Sequence, residues 1–595
     1  MKIRRNSDRG AGQVLSGALT LGLATVISKI IGTLQKIPLQ NIAGDGVFGI
    51  YNAVYPFYVL LVVIASAGIP VAVAKLVAEC EATGNTEDST RILQAACLLT
   101  IATGLLGFIG LLFGAGQIAG WIGNEYTEAA IRSSAYALLV MPVAAALRGF
   151  EQGKGRMMST AVSQVVEQTG RVTVMIVLLL YLTGQQASDD VVAAGATFGS
   201  FAGGLCGLLA IGIYWWIGIR NERLEGVEKA DRTERAEGAE KAGRAEEALR
   251  VVGSDATDIT GLVDRTGETS KTDGSGGLVL KPLPVGSWMR RLVWTAIPIC
   301  LGAIVMPAIN LIDVFTLPRL LTAQGMSEAE SMVQFGIYSR ALPLVQLVTM
   351  VAASLAVGIV PAIAEAWRSG NIATLSHMTI TAARWSWLLG LASAVGLAAL
   401  AEPLNTAFYM NDAGSTAFKL LSLTAAGGAF HAVTAALLQG MGSLRAPMIH
   451  FVIAAIVKAI LNVGLVPAYG INGAAAAAAV SLTLAAVLNA VAIARCSGVR
   501  FVVWGAGSGR LAGALTGMAA VVHFVTAYVQ RLGGDSQRFA AVGAVAIGVP
   551  LGALTFAALA VILGAVHPKE LADLPRVGPR LATLAARLPR LRIRR

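Results

Sequence analysis

Long apolar stretches alternate with short polar ones along almost the whole chain of 595 residues. A helix needs about 20 consecutive apolar residues to cross a bilayer, whereas a membrane β-strand would show alternation over about 10 residues. These stretches are long and rich in Ala, Gly, Leu and Val, so they predict membrane-spanning helices. We predict fourteen spans, at residues 14–35, 48–74, 92–116, 131–148, 158–183, 191–219, 290–317, 335–364, 380–401, 416–440, 446–468, 471–495, 511–530 and 539–566.

One apolar stretch occurs twice. FGIYNAVYPFYVLLVVIA begins at Phe48 and FGIYSRALPLVQLVTMVA at Phe335, with seven of eighteen positions identical and an offset of 287 residues (335 − 48). The same offset relates Arg171 to Lys458 (458 − 171). Six predicted spans separate the copies, and an even number returns the chain to the same side of the membrane. The repeat therefore predicts two lobes of equal orientation, the layout of a two-lobed secondary transporter.

These patterns predict an all-α integral membrane protein in four parts. An N-terminal lobe covers residues 1–219, a polar cytoplasmic linker 220–287, a C-terminal lobe 288–500, and two extra helices with a basic cytoplasmic tail 501–595. The linker begins with charge-alternating sequence such as ERAEGAEKAGRAEEALR and continues rich in Gly, Ser, Thr and Asp. With so little to bury, it is predicted to be disordered, with at most one marginal helix.

Composition and charge place the chain in a membrane. It is 55% hydrophobic and 14% charged, too apolar for a soluble domain of this size. The net charge of +11 could indicate nucleic acid, but eleven basic residues fall in the even-numbered loops and span ends against six in the odd-numbered ones. This bias follows the positive-inside rule. It predicts a multi-pass protein of the cytoplasmic membrane with both termini cytoplasmic and no nucleic-acid partner.

Several charged side chains fall inside predicted spans, where each costs roughly 2.5 to 3.5 kcal/mol on insertion scales. They must face a wet cavity or each other. Glu167 and Arg171 are spaced to pair along one helix, which leaves a structural role beside a coupling role. Lys458 and Asn462 share a helix face in the same way, and Lys458 could instead neutralise Asp313 between helices. The charged residues within spans, with Asn310 close by, are Lys29, Glu167, Arg171, Asp313, Arg340 and Lys458.

Arg340 and Lys36 are two basic candidates for substrate contact. Arg340 has no acidic residue within four positions, and its fixed fork of donors suits phosphate better than a lysine does. Lys36 lies at the outer end of the first span, where it could equally be a snorkelling anchor.

The chain lacks the motifs of common enzymes. It contains no GxxxxGK[ST], GxSxG or HExxH, and its five histidines show no ligand spacing. We therefore expect no catalytic residues, no metal site and no cofactor. The five cysteines lie apart from one another and are expected to be inert apolar residues.

Four motifs carry a resemblance to a known family. They are SKIIGTLQKIPLQNIAG at Ser28, YPFYVLLVVIASAGIPVAVAKLVAE at Tyr55, RGFEQGKGRMMSTAVSQVVEQTGRV at Arg148 and LLQGMGSLRAPMIHFVIAAIVKAILNVGLVPAYGINGAA at Leu437. The chain resembles the multidrug/oligosaccharidyl-lipid/polysaccharide (MOP) exporter superfamily, in the branch of stage V sporulation protein B and the MurJ-type lipid II flippases. The resemblance implies two lobes of six helices and a trailing pair that lines a groove for a lipid tail.

The resemblance also implies site residues. The family's cavity arginines fall on Lys29, on Lys36 and on Arg340, and Asn310 and Asp313 match an NLID element. Two departures stand out. No basic residue occurs between residues 50 and 74, where Gram-negative-type flippases carry arginine. Lys458 stands where a sodium-binding member has an oxygen ligand, which disfavours sodium coupling.

The function that the resemblance implies is a flippase for an undecaprenyl-diphosphate-linked saccharide, with lipid II the first candidate, in peptidoglycan or spore cortex synthesis. The alternatives are a flippase for another polysaccharide repeat unit and a MATE-type drug or cation antiporter, which would be expected to have acidic cavity residues. We expect a monomer whose partners are the lipid-linked oligosaccharide, membrane lipids and cell-wall synthases. The saccharide and the driving force stay open at this stage.

Overall fold

The computed structural model describes residues 20–66, 68–83, 85–252, 283–499, 508–532 and 537–566, together with Glu570 and Thr583. These residues form helices joined by short turns, and no strand occurs among them. By length and composition, twelve of the described helical runs could cross a membrane. The predicted all-α membrane fold is confirmed.

The first half of the chain forms what we call the N lobe. It begins with a helix over residues 20–34 (α1), and a 3-10 turn at Tyr136–Leu139 joins its fifth and sixth helices. The other helices are α2 (Lys36–Ser66), α3 (Ile69–Ala82), α4 (Thr86–Ile122), α5 (Thr127–Ala135), α6 (Met141–Gly153), α7 (Met157–Gly184) and α8 (Asp189–Val252).

The second half forms the C lobe, followed by a trailing helix pair. The helices of the C lobe are α9 (Val285–Ala323), α10 (Glu328–Ser339), α11 (Leu342–Arg368), α12 (Ile372–Ala399), α13 (Ala401–Tyr409), α14 (Ser415–Ser422), α15 (Thr424–Gly440), α16 (Arg445–Tyr469) and α17 (Ile471–Ser497). The trailing pair is α18 (Ser508–Leu532) and α19 (Gln537–Ile562). These two helices pack on each other and against α12 and α13 of the C lobe.

Several predicted spans are built from more than one helix. The first two predicted spans form one run from Thr20 to Ala82, bent at Gly44, whose φ of 79° is left-handed and suits glycine. The eighth span consists of α10 and α11, which are separated at Arg340 and Ala341, with a proline in the first turn of α11. Sequence analysis did not predict α13, a short helix between two spans.

One helix extends further than predicted. Helix α8 has 64 residues and ends at Val252, so it extends about 48 Å beyond Arg220 at 1.5 Å per residue. Lys154 Nζ and Arg156 Nη2 contact Glu222 at 2.8 and 2.6 Å and anchor α8 where it leaves the span. Residues 220–252 are therefore helical where the polar composition predicted disorder. The rest of the predicted linker, residues 253–282, lies outside the described residues.

Small residues let two helices approach closely in each lobe. A Cβ on Gly199 or Gly203 of α8 would meet the backbone oxygen of Arg171 or Glu167 on α7 at 2.8 or 2.6 Å. At the offset of 287, these glycines correspond to Ala486 and Ala490 of α17, which packs against α16. Small residues at fixed spacing are a common device for helix packing in membranes. In the N lobe the glycines bring α8 against the backbone of α7, and in the C lobe Ala486 and Ala490 pack with side chains of α12 and α15.

Candidate functional site

The two lobes meet where the repeated sequence brings equivalent helices together. Helix α2 of the N lobe packs against α10 of the C lobe. At their crossing lie Gly49 and Gly336, which are equivalent at the offset of 287 (336 − 49). A Cβ on Gly49 would collide with the carbonyl oxygen of Met332, and one on Gly336 with that of Asp45. The crossing is therefore a backbone-to-backbone contact that admits only glycine.

One ion pair lies beside this crossing and joins the lobes. Arg340 Nε and Nη2 donate to Asp45 Oδ1 and Oδ2 at 3.0 and 2.6 Å, a bidentate arrangement. Arg340 Nη1 donates to Asn411 Oδ1 at 2.8 Å and to the carbonyl oxygen of Ala413 at 3.3 Å. The guanidinium also lies 5.3 Å from the ring centroid of Tyr409. Arg340 is fully buried, and we call its pair with Asp45 the latch.

Further hydrogen bonds between the lobes lie in loops at the same end of the predicted topology. Asn124 Nδ2 donates to the carbonyl oxygen of Glu328 at 2.7 Å and to Ser331 Oγ at 3.3 Å. Arg319 Nη2 donates to the carbonyl oxygen of Gly120 at 2.6 Å. These contacts come from odd-numbered loops, which the charge bias predicts to be outside. The latch and these hydrogen bonds thus hold the lobes together at the end that is predicted to be outside.

At the opposite end, the start of α9 attaches to the N lobe. Asp88 Oδ1 accepts hydrogen bonds from the backbone N–H of Leu283 at 3.1 Å and from Trp288 Nε1 at 3.3 Å. Arg91 Nη1 donates to the carbonyl oxygen of Leu283 at 3.0 Å. Helix α9 therefore spans the two lobes, since its second half packs against α16 of the C lobe.

The C lobe contains a buried network around Asp313. Lys458 Nζ and the Tyr338 hydroxyl each donate to Asp313 Oδ2 at 2.7 Å. Asn462 Nδ2 donates to Asp313 Oδ1 at 3.1 Å and also to Thr316 Oγ1 at 2.8 Å. The predicted ion pair between Asp313 and Lys458 is confirmed. Because the carboxylate accepts three donors from two neighbouring helices, α10 and α16, its charge is well satisfied despite burial.

The N lobe contains a different charged network on α7. Glu167 Oε1 accepts from Arg171 at 3.0 Å, which confirms the predicted pair along the helix, and Oε2 accepts from Arg148 at 2.7 Å. Arg148 Nε also donates to Ser163 Oγ at 2.9 Å. Sequence analysis missed Arg148, because it was counted as a basic residue at a span end. One buried carboxylate thus serves two guanidinium groups.

The remaining predicted site residues are Lys29, Lys36 and Asn310. Lys29 and Asn310 are exposed in the structure, although they lie within the apolar helices α1 and α9. Lys36 is partly buried, donates to Asn52 Oδ1 at 2.8 Å, and lies 5.5 Å from the ring centroid of Tyr55. Among the described residues, no acidic side chain forms an ion pair with Lys29 or Lys36. Their charges are available to an anion.

The structure separates the other predicted site residues into three groups. Asp313, Lys458 and Asn462 form one cluster, and Glu167 and Arg171 belong to another. Arg340 was predicted to contact substrate, and in this conformation its donors are taken up by the latch. The acidic partner, Asp45, was missed because it lies 295 residues away in sequence. The one sequence feature that could have indicated Asp45 is its position three residues before the repeated motif at Phe48.

Two repeat-related helical lobes with buried charges in each are the architecture of the class of two-lobed membrane transporters. Comparison with known proteins agrees with this class. A model of the polysaccharide biosynthesis protein family matches residues 14–230. The membrane protein YabM of Bacillus subtilis (strain 168) is 30% identical over 476 residues, which cover 80% of this chain and 79% of YabM. This chain belongs to the polysaccharide biosynthesis protein family.

Two other relatives come from the same organism. Lipid II flippase MurJ is 26% identical over 510 residues, covering 82% of this chain and 84% of MurJ. Stage V sporulation protein B is 24% identical over 485 residues, covering 81% and 83%.

Solved structures share the fold. An inward-facing multidrug resistance MATE family transporter of the MOP superfamily matches with a TM-score of 0.57 at 12% identity, covering 81% of this chain and 98% of that one. Lipid II flippase MurJ in an inward closed conformation matches with a TM-score of 0.57 at 11% identity, covering 91% and 99%.

Proposed function

We propose that this protein is a flippase that moves an undecaprenyl-diphosphate-linked saccharide from the cytoplasmic to the outer leaflet, with lipid II the first candidate cargo. The observation that carries the proposal is the similarity to Lipid II flippase MurJ over 82% of the chain. The similarity to stage V sporulation protein B and the family description leave room for a different saccharide. The protein would act in the cytoplasmic membrane as a monomer, with both termini cytoplasmic and without catalysing a reaction.

The uncompensated basic residues support an anionic cargo. Lys29 is exposed on α1, and Lys36 contacts only neutral groups among its described partners. A cation at membrane depth is costly unless it meets water or an anion. A diphosphate head group would offset these charges as it enters between the lobes. A drug or cation antiporter would gain nothing from them, because like charges repel its cargo.

The latch supports alternating access by movement of the lobes. With Arg340 held by Asp45 and with Gly49 against Gly336, the end of the molecule that is predicted to be outside is closed. Opening that end would separate the two lobes and free the Arg340 guanidinium. A phosphate offers the same bidentate acceptor geometry as a carboxylate. Arg340 would then contact the diphosphate in the outward-open state and Asp45 in the closed state.

The trailing helices suit the lipid part of the cargo. Exposed apolar side chains lie along α18 and α19, among them Phe524, Tyr528, Phe539 and Leu554. These helices pack against α12 and α13 at the edge of the C lobe. The polyprenyl chain would stay in the bilayer along this surface while the head group crosses between the lobes.

The experiment is transport in reconstituted vesicles of phosphatidylethanolamine and phosphatidylglycerol. Three cargoes would be compared: lipid II, a polyprenyl-diphosphate carrying an unrelated saccharide, and an organic cation. We expect protein-dependent appearance of lipid II in the outer leaflet, and growth when a strain depleted of its own flippase expresses the protein. Transport of the second cargo alone would assign a different saccharide. Transport of the cation alone would overturn the proposal.

A further inference from the structure

A second polar cluster lies inside the C lobe, apart from the Asp313 network. His450 Nδ1 and Asn489 Oδ1 are 2.8 Å apart, and Asn489 Nδ2 and His431 Nδ1 are 3.2 Å apart. Asn489 Nδ2 also lies 3.3 Å from Thr434 Oγ1. Asn489 and His431 are buried, and His450 is partly exposed. One asparagine thus connects two histidines from α15 and α16.

The internal repeat shows what stands at the same place in the N lobe. At the offset of 287, His450 corresponds to Ser163 (450 − 163) and Lys458 to Arg171. Ser163 belongs to the network of Arg148, Glu167 and Arg171. Arginine stays protonated throughout the physiological range, whereas histidine changes charge near neutral pH. The N lobe has Ala144, Ser163 and Ala202 at the positions of His431, His450 and Asn489, so the histidine cluster has no titratable counterpart there.

The donors and acceptors of Asn489 allow at most one of the two histidine rings to be positively charged. A side-chain amide offers one acceptor oxygen and one donor nitrogen. In the arrangement described, Asn489 Oδ1 accepts from His450, so His431 Nδ1 must be bare to accept from Asn489 Nδ2. Rotation of the amide by 180° exchanges the two roles. If both rings were protonated, one N–H would face the amide N–H group, so a second proton is disfavoured.

The cluster lies within reach of the cytoplasmic side. His450 is five residues from Arg445, the first residue of α16, which places it about 8 Å along the helix from that end. The side-chain hydrogen bonds described for the two rings go to the neutral Asn489. Charged or titratable side chains on the helices packed around the cluster are Glu365 and Arg368 (α11), His377 and Arg384 (α12), Lys419 (α14), Arg445, Lys458 and Tyr469 (α16), Arg495 and Cys496 (α17), and Arg290, Arg291, Cys300, Asp313 and Arg319 (α9).

We propose that the His431–Asn489–His450 cluster is the proton-binding site of the transport cycle, so that the C lobe responds to a proton gradient and the N lobe does not. This inference rests on the proposed transport function. Helix α16 carries both His450 and Lys458, and Lys458 reaches Asp313 and, through it, Tyr338 on α10. Helix α10 precedes Arg340 of the latch. Uptake of a proton therefore acts on the helix that closes the lobes.

The first test counts protons on the purified full-length protein in phosphatidylglycerol nanodiscs. Histidine side chains labelled with nitrogen-15 would be titrated by NMR between acidic and mildly alkaline pH, and the two rings assigned from single His431→Gln and His450→Gln variants. We expect the rings to share one proton. Asn489→Asp, whose carboxylate accepts from both rings, should raise the count to two. Two protons on the unaltered protein, or none, would overturn the site.

The second test measures flipping under an imposed pH gradient in reconstituted vesicles. The unaltered protein and a Ser163→Ala control should respond to the gradient, and the His431→Gln/His450→Gln double variant should lose that response. Flipping by the unaltered protein that ignores the gradient would overturn proton coupling and leave the flippase intact. Absence of flipping under every condition would overturn the proposed function and, with it, the coupling role.

Discussion

At the scale of residues, buried charges in this protein occur in sets that satisfy themselves within one lobe or across the interface. Asp313 holds three donors in the C lobe, Glu167 holds two guanidinium groups in the N lobe, and Asp45 holds Arg340 between them. Lys29 and Lys36 are the exceptions among the described lysines at membrane depth. The charges of the first three sets are compensated in this conformation, whereas those of the two lysines are not compensated among the described residues.

The Asp313–Lys458 pair makes a prediction about stability. Removal of one partner leaves a buried charge uncompensated and should cost about 3 to 5 kcal/mol, whereas removal of both can be nearly neutral. Asp313→Asn with Lys458→Met should therefore melt at a higher temperature in detergent than either single variant. The exposed pair of Lys419 and Glu402 is the control, since such pairs contribute about 0 to 1 kcal/mol. Equal stability of all three Asp313 and Lys458 variants would contradict the pairing.

Arg340 makes a prediction about transport. Arg340→Ala leaves Asp45 without its partner and removes the bidentate donor, so flipping should be lost while the protein still inserts. Arg340→Lys should restore part of the activity, because a lysine keeps the charge but not the fork of donors. Complementation of a flippase-depleted strain, with the membrane fraction quantified for each variant, measures both effects. Normal growth with Arg340→Ala would refute the role of the latch.

At the scale of elements, the crossing of α2 and α10 is set by glycine. Gly49→Ala places a methyl group against the carbonyl of Met332, so the lobes should separate at that end. We expect faster reaction of a single cysteine at Ser331, which is fully buried, with a membrane-impermeant maleimide. Gly110→Ala is the matched control, because nothing lies within 4 Å of its Cβ position. Equal labelling of the two variants would show that the crossing does not control closure.

The helical extension of α8 makes a second prediction at this scale. Replacement of residues 225–282 by a Gly/Ser chain of the same length should leave flipping unchanged, because the lobes dock through α2, α9 and α10. The ion pairs of Glu222 are kept in this variant. Vesicle transport beside the unaltered protein measures the effect. A well-inserted but inactive replacement would mean that the extension gates transport or recruits a partner.

Sequence patterns predicted these elements better than their connections. The lengths of the apolar stretches located the described spans, and the repeated motif paired Phe48 with Phe335. Both features can be read directly from short stretches of sequence. The Asp313–Lys458 pair followed from the cost of burying charge. The Arg340–Asp45 pair could not be predicted in this way, because its partners are 295 residues apart and either could have faced solvent. The helix through residue 252 was predicted only as a marginal one, because its charge pattern resembles that of a disordered segment.

At the scale of the whole molecule, the two lobes have the same fold and different chemistry. The doubled sequence provides equivalent helices that meet at Gly49 and Gly336, so the lobes can move as units about a shared contact. The N lobe carries Ala144, Ser163 and Ala202 where the C lobe carries the histidine cluster. The account therefore requires the closed end to open once in each cycle.

The most direct test is a disulfide cross-link that holds the closed end of the molecule shut. In a variant without native cysteines, Asn124→Cys and Ser331→Cys place thiols across the lobe interface, where the native side chains are 3.3 Å apart. Asn405→Cys and Ser415→Cys form the control pair at the same end within the C lobe, at 3.0 Å. Both pairs would be cross-linked and assayed for flipping in vesicles. The account predicts that the interlobe cross-link stops flipping and reduction restores it, while the control stays active. Undiminished flipping with the interlobe cross-link intact would contradict it.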